Sequence, residues 1–231
     1  MKTCLLLLVT LSLACCTNTV PGKGDKTGNQ GDTDDGVELK GLDVSHWQGE
    51  IDWSKVRQSG IRFAFVKATQ GRDSIDPMFK SNWAALAEGS LLRGAYHFLV
   101  PDVDGAEQAR HFLKTVNFGT GDLLPVVDVE TAGTGLPKVL ADFLAEVRKE
   151  LSVDPIIYVS PYFWNDNIAP TLTAPLPNAL WIAEYGVKTP RSTSRIGPWT
   201  IWQYSQSGKV PGIQGKVDLD RAKTLEGLRI Q

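Results

Sequence analysis

Cysteine is missing from nearly all of this 231-residue sequence. Its three cysteines, Cys4, Cys15 and Cys16, all lie near the N-terminus. The remaining chain therefore cannot form a disulfide, a thiolate metal site or a cysteine nucleophile. An exported domain without disulfides depends on its hydrophobic core, which favours a compact barrel or sandwich.

An excess of charge of one sign is missing as well. The 24 Lys and Arg residues nearly balance the 26 Asp and Glu residues, which leaves a formal net charge of −2. Such a balance offers no basic surface for nucleic acid, so we predict no nucleic-acid partner. Histidine is scarce, and no His-x-x-x-His or comparable ligand spacing occurs, so we predict neither a metal nor a cofactor.

The apolar run at the N-terminus is too short to span a membrane. It extends from Leu5 to Ala14, after a charged start and before the pair Cys15-Cys16, which is the order of a secretion signal. Cleavage before a cysteine that follows Leu and Ala is typical of bacterial lipoproteins. We therefore predict a lipoprotein signal peptide over residues 1–15, with the lipid on Cys16. Cys15 is the alternative site, and an ordinary signal peptide with incidental cysteines is another interpretation.

Two further segments follow this leader. Residues 16–38 contain few large apolar side chains and are rich in Gly, Asp, Asn and Thr, a composition that predicts a flexible tether. Residues 39–231 have ordinary globular composition and are predicted to form one domain, which we expect to be monomeric. The protein is expected to be exported and held only by its lipid at the periplasmic or cell-surface face of a bacterial membrane.

From residue 39 onward, short apolar runs alternate with helix-like segments, which is typical of parallel βα units. Strands are predicted over 39–44, 61–68, 91–99, 123–130, 155–160, 179–184, 199–204 and 216–219. Helices are predicted over 53–59, 77–87, 104–116 and 136–151, and helical periodicity fades after that. Eight strands with helices between the early ones predict a closed barrel related to the (β/α)8 fold. An open, doubly wound sheet is the alternative.

Polar and aromatic residues stand at the ends of the predicted strands, where barrels of this type keep their catalytic side chains. They are Asp43, Tyr96, His97, Asp128, Glu130, Tyr158, Trp181, Glu184, Gln203, Tyr204 and Asp218. We expect these side chains to surround one cavity.

The pair Asp128 and Glu130 carries the most specific chemistry. Residues two apart on a strand share a face, with their stems roughly 7 Å apart. With Asp43 and Asp218 close by, ionisation of all the carboxyl groups would be opposed by repulsion between their negative charges. At least one of them should therefore hold its proton near neutral pH. A protonated carboxyl of this kind can donate to a leaving oxygen, as in glycoside hydrolysis. A metal site in which His46, His97 or Asp218 joins this pair is the alternative.

A series of ordered motifs supports this interpretation. They are GLDVSHWQG at 41–49, IDW at 51–53, FVKAT at 65–69, GAYHF at 94–98, DVE at 128–130, IYVS at 157–160, LWIA at 180–183, WQY at 202–204 and VDL at 217–219. Over about residues 39–226, the sequence resembles the glycoside hydrolase family 25 lysozymes, which are N-acetylmuramidases.

This resemblance implies a flattened, TIM-like α/β barrel of the (β/α)5β3 type in a single domain. It also implies hydrolysis of the β-1,4 bond between N-acetylmuramic acid and N-acetylglucosamine, with peptidoglycan glycan strands as the partner. Glu130 would be the general acid, Asp128 its catalytic partner, and Asp43 and Asp218 the floor of the cavity. Substrate-binding side chains are expected at Tyr96, His97, Tyr158, Trp181, Gln203 and Tyr204.

The sequence departs from the family pattern at two positions. Gln70 stands where the family usually has Glu after Lys-Ala-Thr, and Asp220 stands where Asn is common. Gln70 is expected to alter contacts in the groove or substrate preference, and Asp220 to raise the pKa of its neighbours. Two rival functions are a non-catalytic peptidoglycan-binding lipoprotein on the same barrel and a phosphodiesterase-type barrel.

Overall fold

The computed structural model of the protein describes residues 38–177, 179–191 and 199–231. The predicted signal peptide, both candidate lipidation sites, Cys15 and Cys16, and nearly all of the tether lie outside the described residues. Within these ranges, none of the helices combines the length and apolar character needed to cross a membrane.

Eight of the described strands close into a barrel. Their order around it is β1-β9-β8-β7-β6-β5-β4-β2, and pairing of β1 with β2 completes the ring. The strands are β1 (Leu39–Val44), β2 (Phe63–Gln70), β3 (Ser74–Ile75), β4 (Leu92–Phe98), β5 (Val126–Asp128), β6 (Ile156–Val159), β7 (Leu180–Ala183), β8 (Ile201–Gly208) and β9 (Val217–Ala222). The short β3 only extends the edge of β2. The predicted closed barrel is confirmed, and the open doubly wound sheet is excluded.

The first five barrel strands are each followed by a helix. The helices are α1 (Trp53–Gln58), α2 (Phe79–Ala87), α3 (Gly105–Val116), α4 (Leu136–Leu151) and α5 (Pro161–Asn167). Among the described residues, no helix follows β7, β8 or β9, so the (β/α)5β3 arrangement is confirmed. None of the helix ranges predicted from periodicity covers α5, although Ser160 caps it by accepting from the Phe163 N–H and Pro161 occupies its first position.

Strand β9 runs antiparallel to both of its neighbours, β1 and β8. The predicted position of Asp218 at the end of the last strand is wrong, because Asp218 is the second residue of β9. The reversed direction has a useful consequence. The start of β9 lies at the same end of the barrel as the carboxyl ends of the parallel strands, and Asp218 pairs with Asp43 across β1 and β9.

The hydrophobic core has two parts, because alternate strand residues face opposite sides of the barrel wall. One part joins the outer faces of the strands to the helices and includes Val66, Val127 and Phe143. The other fills the barrel interior and includes Phe63 and Phe65. Glycines make room for these interior rings: a Cβ atom at Gly94 would lie 2.2 Å from the Phe65 ring, and one at Gly41 equally close to Phe63.

Candidate active site

On several strands, the residues that face the barrel interior become more polar towards the end where the acids lie. On β5, Val126 belongs to the interior core and Asp128, two residues later, lies beyond it. On β6, Ile156 is followed by Tyr158, whose ring still packs in the interior core and whose hydroxyl donates to Gln203 Oε1. The interior is therefore closed by apolar side chains at one end and carries polar side chains at the other, the carboxyl end of the parallel strands.

This polar end forms a depression that we call the deep cavity. Its lining residues are Asp43, Tyr96, Asp128, Glu130, Tyr158, Trp181, Gln203 and Asp218. The structure thus brings together all four acids that were predicted to be catalytic, with four of the six residues that were predicted to bind substrate.

A second depression, the side groove, continues from the deep cavity. It shares five lining residues with it: Asp43, Tyr96, Asp128, Glu130 and Asp218. It also extends past Ser45, Trp47, Gln48, Lys67 and Phe98. The acids therefore stand where the two depressions meet.

Two of the acids, Asp43 and Asp128, are almost completely buried. Burial raises the pKa of Asp43 well above its usual range, and the nearby Asp218 charge adds to the effect. Burial likewise raises the pKa of Asp128, with Glu130 as the next cause. Gln203 Nε2 donates a 2.7 Å hydrogen bond to Asp43 Oδ2, whereas Asp128 Oδ1 is buried without a hydrogen-bond partner among the described residues. Asp128 thus has an acceptor oxygen free for a ligand.

The other two acids are more open. Glu130 is exposed at the mouth; its partial removal from water raises its pKa, and the Lys67 ammonium opposes that rise. Partial burial and the neighbouring Glu130 raise the pKa of Asp218 to about 6. Acids with pKa values above the usual range can hold a proton near neutral pH, as an acid catalyst has to.

Asp220 lies directly beneath this group and is completely buried. Trp181 Nε1 donates a 3.0 Å hydrogen bond to Asp220 Oδ1, and Oδ2 has no hydrogen-bond partner among the residues described. Burial and then the Asp43 charge raise the pKa of Asp220 well above the usual range. This environment favours the protonated, neutral form of the Asp220 carboxyl over the charged form.

Lys67 is a functional candidate that the sequence analysis missed. Its Nζ donates a 2.8 Å hydrogen bond to Gln70 Oε1 and lies 4.7 Å from the centroid of the Phe98 ring. The sequence did contain a signal, because Lys67 continues the inward alternation of Phe63 and Phe65 along β2. Its ammonium opposes the rise in pKa that burial causes at Glu130 and at Asp128.

His97 and Tyr204 were predicted to bind substrate, and the structure places both outside the two depressions. His97 is fully buried and faces the helices, because its neighbour Tyr96 faces the cavity. The Tyr204 ring packs against Trp202 and under the Arg221 guanidinium, 4.5 Å from its centroid. The two residues lie apart from Tyr96 and Gln203, their neighbours in sequence, because adjacent strand residues point to opposite faces.

The alternative of a metal site gains no geometric support. Across the described ranges, no group of three or more His, Cys, Asp or Glu side chains has an arrangement suited to a metal ion. The His46 ring is bound to Asp76, with 2.8 Å between Nδ1 and Oδ2. Glu184, another polar residue at a strand end, forms a 2.9 Å ion pair with Arg191 instead of lining the cavity.

Comparison with known proteins agrees with this geometry. The sequence model of the family described as "Glycosyl hydrolases family 25" matches residues 42–213. "Uncharacterized protein YegX" of Escherichia coli K12 is 41% identical over 191 residues, which are 79% of this chain and 68% of that protein. "Lysozyme M1" of Streptomyces globisporus is 34% identical over 197 residues, which are 79% of this chain and 67% of that protein.

Solved structures show the same fold. The bacterial lysozyme from Streptomyces coelicolor superposes with a TM-score of 0.74 at 30% identity, over 84% of this chain and 95% of that one. A family 25 glycosyl hydrolase from Bacillus anthracis gives a TM-score of 0.72 at 32% identity, over 82% of this chain and 91% of the other.

Proposed function

The chain belongs to glycosyl hydrolase family 25 and is a glycoside hydrolase, and on this premise we propose that it is a peptidoglycan muramidase with Glu130 as its general acid. The names of its relatives, lysozymes and muramidases, support activity on peptidoglycan. The bond we propose is the β-1,4 bond from N-acetylmuramic acid to N-acetylglucosamine.

One observation carries the assignment of the acid. Glu130 is the most exposed of the four acids that line the cavity, so it can reach a glycosidic oxygen. Its pKa is raised, which favours the protonated form that a general acid needs. Asp128 shares its strand face but lies deeper, and its unpartnered oxygen can accept a hydrogen bond from a bound sugar. These different environments favour different roles for two neighbouring acids.

In the proposed mechanism, the Glu130 carboxyl protonates the leaving oxygen while the carbonyl oxygen of the sugar's own 2-acetamido group attacks the anomeric carbon. Asp128 orients this group by accepting a hydrogen bond from its N–H. Water then opens the cyclic intermediate, and the Glu130 carboxylate takes the proton of that water, so the anomeric configuration is retained. Direct attack by Asp128 or Asp218, or inversion through water, are the alternatives.

Product stereochemistry separates these mechanisms. We expect NMR spectra taken immediately after cleavage to show the β anomer first. An initial α anomer would rule out both the substrate-assisted and the covalent mechanism.

The activity itself is tested on purified sacculi. We expect wild-type protein to release soluble fragments with new reducing ends and Glu130→Gln to release almost none while still binding the sacculi. Wild-type protein that binds sacculi without generating reducing ends would instead be the rival, a non-catalytic peptidoglycan-binding lipoprotein.

The relatives' activity on cell walls suggests that this protein is exported too, and we propose the lipid anchor on Cys16 as the means of retention. Membrane fractionation and lipid labelling of Cys16→Ser and Cys15→Ser variants test this. Loss of the lipid only in Cys16→Ser is expected. Loss of the lipid only in Cys15→Ser would assign the lipidation site to Cys15. Wild-type protein without a lipid would contradict the proposed anchor.

A further inference from the structure

Trp47 is the most exposed large apolar side chain of the described residues, with 82% of its surface open to solvent. A tryptophan normally buries much of its large ring, because its apolar surface is costly to leave in water. An aromatic ring that stays open beside an active site therefore calls for a ligand that covers it.

The backbone around Trp47 is firmly held. Trp47 lies in a 3₁₀ turn, His46–Gln48, that directly follows β1. Ser45 and Gln48 form a reciprocal cap, with a 2.9 Å bond from the Ser45 N–H to Gln48 Oε1. Gln48 Nε2 also donates to the Lys216 carbonyl at 3.2 Å, which ties the turn to the start of β9.

A neighbouring side chain fixes the ring itself. The His46 ring packs against the indole of Trp47, with 4.6 Å between ring centroids. His46 is in turn held by Asp76, whose Oδ2 binds both the backbone N–H and the ring of His46. The indole is thus supported on one side and open elsewhere. Because the ring is already held in place, the protein would lose little conformational freedom when a ligand binds.

The position of Trp47 points to the ligand. Trp47 lines the side groove together with Asp128, Glu130 and Asp218, which also line the deep cavity. The deep cavity measures about 90 Å³, far below the roughly 300 Å³ that a drug-sized ligand needs. It therefore holds one sugar unit at most, and the next unit of a glycan strand has to lie in a neighbouring depression.

We propose that Trp47 is a stacking platform for the sugar unit adjoining the one that reacts in the deep cavity. The C–H face of a pyranose ring is apolar and covers an indole well, while its hydroxyl and acetamido groups stay at the edge of the ring. Lys67 Nζ lines the same groove, and it has donors beyond the one that Gln70 accepts. This assignment rests on the proposed function.

Tyr162 offers a matched control on the same molecule. It is also an exposed aromatic residue, at 58%, and it follows a parallel strand, β6. However, it lines neither depression, and the Arg191 guanidinium covers its ring at 4.5 Å from the centroid. Tyr162 should therefore contribute little to glycan binding.

The experiment measures binding in the Glu130→Gln background, so that cleavage does not interfere. The probes are N-acetylglucosamine tetrasaccharide, followed by isothermal titration calorimetry, and purified sacculi, followed by co-sedimentation. We expect Trp47→Ala to weaken binding of both probes at least tenfold, Trp47→Phe to restore it to within about threefold, and Tyr162→Ala to leave it unchanged. The tetrasaccharide should also shield Trp47 from acrylamide quenching.

Binding unaffected by Trp47→Ala would overturn the proposal, and so would failure of the Glu130→Gln variant with Trp47 intact to bind either probe. A Trp47→Ala effect that Trp47→Phe does not restore would also contradict stacking. Thermal unfolding of each variant separates lost binding from lost folding. If wild-type protein bound sacculi through Trp47 but released no fragments, the proposed muramidase function would fail while the platform would stand.

Discussion

Two groups of polar side chains are buried in this barrel, one on each side of its wall. The outer group, Thr69, His97 and Gln108, lies between the strands and the helices and is fully bonded. His97 bonds to Thr69 Oγ1 at 2.7 Å and to Gln108 Oε1 at 3.1 Å, and the Gln108 amide donates to the carbonyls of Val100 and Val103. The inner group is the acid cluster, in which Asp43, Asp128 and Asp220 are buried and Glu130 and Asp218 are more open. It leaves oxygens of Asp128 and Asp220 without partners among the described residues.

The difference separates a structural role from a chemical one. A network of buried polar side chains stabilises the fold when all of its hydrogen bonds are made. Removal of one side chain leaves the others buried without hydrogen-bond partners. Several carboxyl groups crowded together with unpartnered oxygens destabilise the folded state, and such a cost is typical of sites kept for ligands. The four variants below test this contrast.

The largest effect is expected from Glu130→Gln. Loss of the general acid should reduce the rate of peptidoglycan hydrolysis by about a hundred- to ten-thousandfold. The free energy of unfolding should stay the same or rise, because a like charge leaves the acid cluster. Reducing-end release and denaturant unfolding measure the two effects. If this variant clears sacculi at the wild-type rate, Glu130 is not the general acid.

The opposite result is expected from His97→Ala in the outer group. The variant leaves a cavity beside Phe143 and removes a hydrogen-bond partner of Gln108 and of Thr69. Together these changes should lower the free energy of unfolding by about 3 kcal/mol. The folded protein should keep its activity to within about threefold. Unchanged stability combined with lost activity would instead support the prediction that His97 binds substrate.

A third variant, Asp220→Asn, should stabilise the protein at neutral and alkaline pH. Because the pKa of Asp220 is raised in the folded state, the folded protein holds a proton that the unfolded chain releases, so stability falls as pH rises above the ordinary carboxyl range. The neutral amide avoids this loss, and we expect a gain of about 1–2 kcal/mol at pH 8 and none at pH 4.

Activity of Asp220→Asn should persist, because the amide can still accept from Trp181 and donate to Asp43. The exposed Asp166→Asn variant serves as the control, with no change at either pH. Destabilisation of Asp220→Asn at pH 8 would show that Asp220 is ionised in the fold.

The smallest effect is expected from Gln70→Glu. The new carboxylate would pair with Lys67 and weaken the ammonium's effect on Glu130, so the pKa of the acid should rise. The alkaline limb of the pH–activity profile should then move up by a few tenths of a pH unit, and Gln70→Ala should not produce this rise. A move to lower pH would contradict the role given to Lys67.

The fold could be predicted best where each strand is followed by a helix. The range predicted for α4, 136–151, is the observed one, because an amphipathic helix carries its signal locally. Strand β5 was predicted over 123–130 and spans only Val126–Asp128. Leu123 and Leu124 instead contact the C-terminal segment through Arg229 and Leu228. The direction of β9 depends on similar distant pairing, which no local pattern encodes.

Alternation along strands determined how well the site could be predicted. Asp128 and Glu130 were placed together because they are two apart. Tyr96 and His97 were both assigned to the site, although neighbours on one strand face opposite sides. Asp220 drew attention only as a departure from a family pattern, since its burial against Asp43 requires the closed barrel.

Mass spectrometry of the fragments released from purified peptidoglycan identifies the glycosidic bond that the protein breaks. After borohydride reduction, the proposed muramidase cleavage predicts fragments that end in the alcohol of N-acetylmuramic acid, produced by wild-type protein and lost with Glu130→Gln. Fragments that end in the alcohol of N-acetylglucosamine would contradict it.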